Sequence, residues 1–452
     1  MKNRLMAIIL SITTIAVTTG YVSGDDNISN VENMEIAYKD MIVGETATDI
    51  KADLKILTNR TDLIDTDFSD YVNEFTSMYP NVTIKYEGIT NYESDVTTRL
   101  TTENWGDVCC IPATVQLSDL EKYFESFGDY SYFENVYELS DSKMYDNKVY
   151  GLPSMGNVSG IVYNTAVFEE AGVTELPDTP DEFLDSLKKI ADNTDAIPMY
   201  TNYAASWTLT AWDSYITGST GDPDYKRNLL VHSTNPFSRQ DDLTGPYAIY
   251  YTLYEAVNRG LTEEDPTTTD WEGSKVQINA GNIGCMVLGS WSVPQIKKAG
   301  ENGDDIAYMP FPISVNGHKY ASAISDYCYG VNVNSSADNK TAAMLYIKYL
   351  IESSGYALAQ GGIPIVKGDE YPDFLQDFKN VTLVSDNPAL KGEERYFDDI
   401  NNMSEISLDA DPTHVAEIIE AAIDNTKSFD EIMDEWNAAW AKAQQSEGVI
   451  TD

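Results

Sequence analysis

YGLPSMGNVSGIVYNTAVFEEAG, residues 150–172, is the stretch on which the fold turns. It reads as a short strand, a turn, a second apolar strand and the first turns of a helix. Pro153, Gly156 and Gly160 punctuate it, and one small amide, Asn157, sits among apolar neighbours. A chain that changes element through such a segment is crossing from one structural unit to another.

The sequence on both sides supports that reading. Upstream, DLKILTN (53–59) is a strand. DTDFSDYVNEFTSMYP (65–80) is a helix, with Phe68, Tyr71, Val72, Phe75 and Met78 at helical spacing and Pro80 ending it. NVTIKYEGI (81–89), NYESDVTTRLTTENW (91–105) and GDVCCIP (106–112) continue as strand, helix and strand. This alternation predicts a parallel α/β sheet. Downstream, TPDEFLDSLKKIAD (179–192) has Thr179 as N-cap, Pro180 at the first helical position and Glu182 to close a capping box. Residues 195–280 read as helix and loop with Tyr203, Trp207, Trp212, Tyr215 and Trp271. NIGCMVLGSW (282–291) and DYCYGVNVN (326–334) are strands, and KTAAMLYIKYLIESS (340–354) is an amphipathic helix. SFDEIMDEWNAAWAKAQQ (428–445) is a last helix, capped by Ser428 and Glu431, with Trp436 and Trp440 in its core stripe.

The chain has 452 residues, more than one core ordinarily fills. It carries 29 Lys and Arg against 73 Asp and Glu, a formal net charge of -44. Nucleic acid and anionic lipid need clustered cations, so both are excluded as partners. Lys2, Arg4 and the apolar run LMAIILSITTIAV (5–17) form an export signal through residue 24, followed by a flexible linker over 25–50. Tyr21 stands where a lipobox would place Cys, so lipid anchoring through that position is chemically impossible. Cys109, Cys110, Cys285 and Cys328 lie in apolar runs without CxxC spacing and read as buried small hydrophobes; one bridge between distant members stays open.

Motifs of catalysis are missing. No phosphate loop, dinucleotide fingerprint or nucleophile elbow occurs. His232, His318 and His414 are too scattered for a metal site or a triad. DLIDTDFSD (62–70) and DADPTHVAE (409–417) lack the glycine and ligand spacing of a calcium loop. No cofactor and no metal are expected. What remains is aromatic surface, with 30 tyrosines, among amides and hydroxyls. That combination suits a neutral polar solute, the rings covering apolar faces and the amides bonding the rim.

At this point the order of segments resembles the extracellular solute-binding proteins of bacterial ABC importers, in the sugar-binding family 1 that includes maltose-binding protein. FTSMYPNVTIKYEG (75–88), GDVCCIP, residues 150–172, TPDEFLDSLKKIAD, GCMVLGSWSVPQIKKAG (284–300), IAYMPFPIS (306–314), GGIPIV (361–366) and EWNAAWAKA (435–443) follow one another as in that family. The resemblance implies a type II periplasmic-binding-protein fold: two α/β lobes joined by hinge strands, here 51–155 with 325–375 and 156–324 with 376–445. It implies a secreted or surface-associated monomer. That monomer would bind a carbohydrate, foremost an oligosaccharide, in the cleft and pass it to permease subunits without chemical change. By position it assigns ligand contacts to Asn59, Arg60, Asp62, Thr114, Asn157, Asn202, Tyr203, Trp207, Trp291, Asp326 and Tyr327, with no catalytic residue. No aromatic fills the positions around Ile111, which weighs against a long malto-oligosaccharide. Glycines near the crossing would grant hinge torsions. A peptide or polyamine on the same fold and a secreted glycoside hydrolase remain the rival readings.

Overall fold

The structure is a computed structural model and describes residues 36–451. The export signal and the first part of the linker lie outside the described residues. Along the chain run β1 (Ala52–Thr58), α1 (Asp67–Met78), β2 (Val82–Gly88), α2 (Tyr92–Arg99), β3 (Val108–Cys110), β4 (Leu152–Pro153) and β5 (Gly156–Asn164). Then follow α3 (Pro180–Asn193), β6 (Ile197–Met199), β7 (Ile283–Gly289), β8 (Ile306–Met309), β9 (His318–Ser325), β10 (Cys328–Val331), α4 (Ala337–Glu352) and α5 (Phe429–Glu447).

The first sheet has the order β2-β1-β3-β10-β4. β1 lies parallel to β2, from Ala52 opposite Val82 to Thr58 opposite Gly88, and parallel to β3. The alternation of strands and helices demands this, because each helix carries the chain back to the starting edge. α1 buries Phe68 and Phe75, and α4 covers the same core with Leu345, Tyr346 and Ile347. The returning strand β10 is antiparallel to β3 and β4.

The second sheet is built around β5, all nine residues of which are buried. β7, β8 and β9 pair with it antiparallel, and β6 runs parallel to β7. Its core takes Trp212, Trp436 and Trp440. Thr179 caps α3 by accepting from the Glu182 N–H at 3.3 Å. The Glu182 carboxylate, however, reaches the Asp178 N–H at 2.8 Å, one residue beyond the cap, so no reciprocal box forms there. The box at Ser428 and Glu431 is complete. All four cysteines are buried and free.

Two details differ from the sequence reading. Residues 36–50, read as part of a loose linker, are anchored to the first lobe by two buried side chains. Tyr38 and Met41 are buried in the first core, and Lys348 lies 4.6 Å over the Tyr38 ring. Gly160, read as a hinge glycine, sits inside regular strand. A Cβ there would come 2.6 Å from the Met309 carbonyl and 2.7 Å from the Tyr308 ring. It is glycine because Tyr308 crosses above it, donating its hydroxyl to the carbonyls of Val158 at 2.6 Å and Leu288 at 2.9 Å.

The chain passes between the sheets through three segments side by side. The Ser154 N–H donates to Tyr327 O at 3.0 Å, and the Asp326 N–H to Met155 O at 2.9 Å. Gly156 and Ile363 exchange both backbone bonds, at 2.8 and 2.7 Å.

Candidate functional site: a cleft between the two sheets

A cavity of about 450 Å³ opens between the sheets, within the roughly 300–1,000 Å³ usual for small-molecule sites. Asn157, Asp326 and Tyr327, on the crossing strands, contribute to its lining. Asn157 is 5% exposed, fixed by strand pairing opposite Ile324, and its Oδ1 has no hydrogen-bond partner. A buried amide oxygen without a donor costs about 1–3 kcal/mol, so this position suits an arriving N–H or O–H. Beside it the Asp326 carboxylate accepts the Tyr327 N–H at 2.7 Å. Burial lifts Asp326 above the usual carboxylate range, against that N–H, the Asn157 amide and the Arg60 guanidinium. Tyr327 donates its hydroxyl to Glu93. Glu93 in turn accepts the Ala113 N–H at 2.9 Å, which ties the first-lobe wall to this segment.

One stretch of the second-lobe wall is aromatic. Trp207, Trp271 and Trp291 pack mutually, with ring centroids 5.5, 5.8 and 5.7 Å apart. Trp291 follows β7 after one intervening residue, Ser290. Trp207 opens a nine-residue 3₁₀ run, Trp207–Tyr215, and is 50% exposed. Lys275 stands 5.0 Å over the Trp271 ring.

Another part of the lining is charged. Lys226 and Arg227 come from a π-helical turn, Tyr225–Leu229, and Asp141 and Lys143 from the first lobe, with Asp386 and Asp409 completing the set. Lys226 is ion-paired with Asp409 and lies 3.9 Å from Asp386. Burial pulls Lys226 down, but Asp409 and Asp386 outweigh it and hold its pKa up. Burial lowers Lys143 and raises Asp141, the latter partly offset by Arg227. The Asp409 N–H donates to Asp213 at 2.7 Å. Asp213, fully buried, also accepts from the Tyr250 hydroxyl at 2.7 Å and pairs with His414 Nε2 at 2.9 Å. Four lining carboxylates, Asp141, Asp326, Asp386 and Asp409, thus face three cations, Lys143, Lys226 and Arg227. Neither sign dominates, so the cleft offers charged donors and acceptors to hydroxyls instead of a field for an ion. Among the described residues no group of three or more His, Cys, Asp or Glu is placed to hold a metal ion.

The sequence profile of the bacterial extracellular solute-binding proteins matches residues 62–357. The chain belongs to that family. A manno-oligosaccharide-specific solute-binding protein of Bifidobacterium animalis subsp. lactis, solved with mannotriose, is 44% identical. The match covers 91% of this chain and 99% of that one, with a TM-score of 0.88. A second binding protein of an ABC transporter from the same organism, solved with mannobiose, is 43% identical over the same shares, also at 0.88. The multiple sugar-binding protein of Streptococcus mutans is 21% identical over 305 residues, 65% of this chain and 69% of that one. These neighbours fix the fold as the two-lobed solute-binding fold, and their family is extracellular. No helix among the described residues is long and apolar enough to cross a membrane.

In this solute-binding protein the structure brings five of the eleven expected residues to the cleft lining: Asn157, Trp207, Trp291, Asp326 and Tyr327. The other six lie elsewhere. Arg60 is held by Asp62, through bonds of 2.9 and 2.7 Å, and by Gln360 at 2.8 Å. It stands behind Asp326 and acts on it by charge. Asn59 is half-buried at the end of β1. Thr114 is exposed and bonded to the Thr97 hydroxyl at 2.8 Å. Asn202 is 1% exposed in the left-handed region, φ 57°, with its amide 3.1 Å from Met286 Sδ. Tyr203 points to Glu420 at 2.5 Å.

The sequence reading missed the charged part of the lining. Lys226 and Arg227 are adjacent cations, but so are Lys188 with Lys189 and Lys297 with Lys298, and nothing in the sequence separates these pairs. Asp386 and Asp409 come from loops far along the chain, so only the folded structure assembles the set.

Proposed function

We propose that this protein captures a neutral, hydroxyl-rich carbohydrate between its lobes outside the cytoplasm. It passes the ligand unchanged to the permease subunits of an ABC importer. A short manno-oligosaccharide is the first candidate. The observation that carries this reading is the cleft itself: a near-balanced set of charged donors and acceptors, a buried amide oxygen lacking a donor, and an indole platform. The manno-oligosaccharide ligands of the two relatives above 40% identity support the choice. The balance of charges weighs against a polyamine, which needs a carboxylate excess. In this reading residues 51–155 with 325–375 form one lobe and 156–324 with 376–445 the other, the protein works as a monomer, and Asn157, Trp207, Trp291, Asp326 and Tyr327 touch the ligand.

The test is thermal unfolding of the mature chain against mannobiose, mannotriose, other oligosaccharides, peptides and polyamines. A ligand at a hundredfold excess over its Kd stabilises by about 2.7 kcal/mol. A shift with mannotriose that is weakened in Trp207→Ala supports the reading. A shift with a peptide or polyamine alone refutes it. New reducing ends in excess of the protein would show turnover and refute the non-enzymatic role.

A further inference from the structure

A second cavity, of about 500 Å³, lies outside the cleft and shares no lining residue with it. The helix Thr413–Asp424, α5 and the turn after the helix Tyr396–Ser404 form its walls. Ala421, Ile432 and Trp436, all buried, give it an apolar floor. The rest of the lining is acidic: Glu405, Glu417, Glu420, Asp424 and Glu435 stand against one lysine, Lys427. Lys427 is already engaged, 2.6 Å from Glu435. An acidic surface alone is ordinarily just solvated.

His414 sets this cavity apart. It lines the wall and is 4% exposed. Its Nε2 lies 2.9 Å from Asp213, which also accepts the Tyr250 hydroxyl and the Asp409 N–H, each at 2.7 Å. Since Asp213 acts as an acceptor throughout, Nε2 carries the hydrogen, and Nδ1 of the neutral ring is a lone pair. That Nδ1 has no hydrogen-bond partner. Buried polar atoms are seldom left so, and this one belongs to a side chain lining a cavity large enough to bring it a donor. The His414 and Trp436 ring centroids are 5.3 Å apart, so the acceptor and the apolar floor adjoin.

These features select one ligand chemistry. The carboxylates favour a positive charge, the unpaired nitrogen needs an N–H, and the floor takes hydrocarbon. A coordinated metal ion does not fit, because among the described residues no group of three or more His, Cys, Asp or Glu is placed to hold one. We propose that this cavity is a second binding site, for a small primary amine in its ammonium form. Its nitrogen donates to His414 Nδ1 among the acidic side chains, and its hydrocarbon body rests on Trp436.

The probe is benzylamine, added to the full mature chain with labelled histidines. The NMR signals of its three imidazoles, His232, His318 and His414, report binding. His232→Gln and His318→Gln assign two of them and leave His414 by elimination. Burial lowers the His414 pKa and Asp213 raises it more, so the titration is run at alkaline pH, where the ring is neutral and Nδ1 can accept. Saturable movement of the His414 signal is expected. Benzyl alcohol, which lacks the charge, and benzyltrimethylammonium, which lacks the N–H, should bind at least about tenfold more weakly. Exposed charges contribute modestly, so Glu417→Gln combined with Asp424→Asn should weaken benzylamine by about threefold. Trp207→Ala and saturating mannotriose should leave its binding in place, because both act in the cleft. A His414 signal that stays still, equal binding of benzyltrimethylammonium, or loss of benzylamine binding in Trp207→Ala overturns the second site. The three-probe comparison uses the unaltered protein, so it decides the matter even if a variant fails to fold. The carbohydrate reading of the cleft is untouched by any of these results.

Discussion

Replacing Asn157 with leucine should separate stability from affinity. In the empty protein the change removes a buried oxygen that has no donor, a gain of about 1–3 kcal/mol. It also removes the amide that helps to hold Asp326. A hydrogen bond to a charged group is worth about 1.5–3 kcal/mol, and Asp326 keeps its 2.7 Å bond from Tyr327. The two effects offset, so the melting free energy of the empty protein should change by no more than about 1 kcal/mol. The ligand loses the acceptor at the centre of the cleft. At about 1–3 kcal/mol, Kd should rise roughly 5- to 150-fold. Urea unfolding without ligand and isothermal titration with mannotriose measure the two quantities separately. Unchanged affinity would refute the role of Asn157 in binding. A loss of more than about 3 kcal/mol in the empty protein would refute the premise that its oxygen is unmatched before ligand arrives.

Gly160→Ala should destabilise the protein by about 1–3 kcal/mol, because its Cβ meets the Met309 carbonyl and the Tyr308 ring; a melting temperature equal to that of the parent would contradict the close approach. Tyr38→Ala should cost about 3 kcal/mol in urea unfolding, since this ring is 1% exposed in the first core; a neutral result would mean the lead-in segment is dispensable. His414 is lowered by burial but raised more by Asp213, with Asp411 and Asp409 adding, so its folded pKa lies above the ordinary value near 6.5. Its stabilisation is therefore full below about pH 6.5 and is lost as pH rises through the raised value. Relative to His414→Gln, the parent should lose urea midpoint over that window, and parallel pH profiles of the two proteins would remove His414 as the titrating group.

The parallel pairing of β1 with β2 and β3 in the first lobe was legible because its signals are local. Phe68 and Phe75 recur at helical spacing, Pro80 stops the helix, and an alternating series forces parallel pairing. The apolar stripe of α5 likewise announced Trp436 and Trp440 as core. Asn157 and Trp291 could be placed because each stands at a strand boundary that the resembling family shares. Asn202 could not be, since its direction depends on one left-handed torsion beside Met286 that the sequence does not display. The Lys226–Asp409 pair was beyond reach for another reason: ionic partners carry no spacing rule, and these two come from a π-helical turn and a distant loop. Gly160 shows a third kind of limit. A glycine in a strand signals either freedom or crowding, and only the position of Tyr308 says which.

The three crossings between the sheets lie side by side, with Ser154 bonded to Tyr327, Met155 to Asp326, and Gly156 to Ile363. A door hung at three aligned points swings but does not wobble. Sliding or skewing of one half across the other would break these bonds together, whereas rotation about their common line strains them least. The motion expected from these bonds is then described by a single angle. A membrane partner that must tell loaded from empty molecules has one variable to gauge, and any sugar able to set that angle passes inspection.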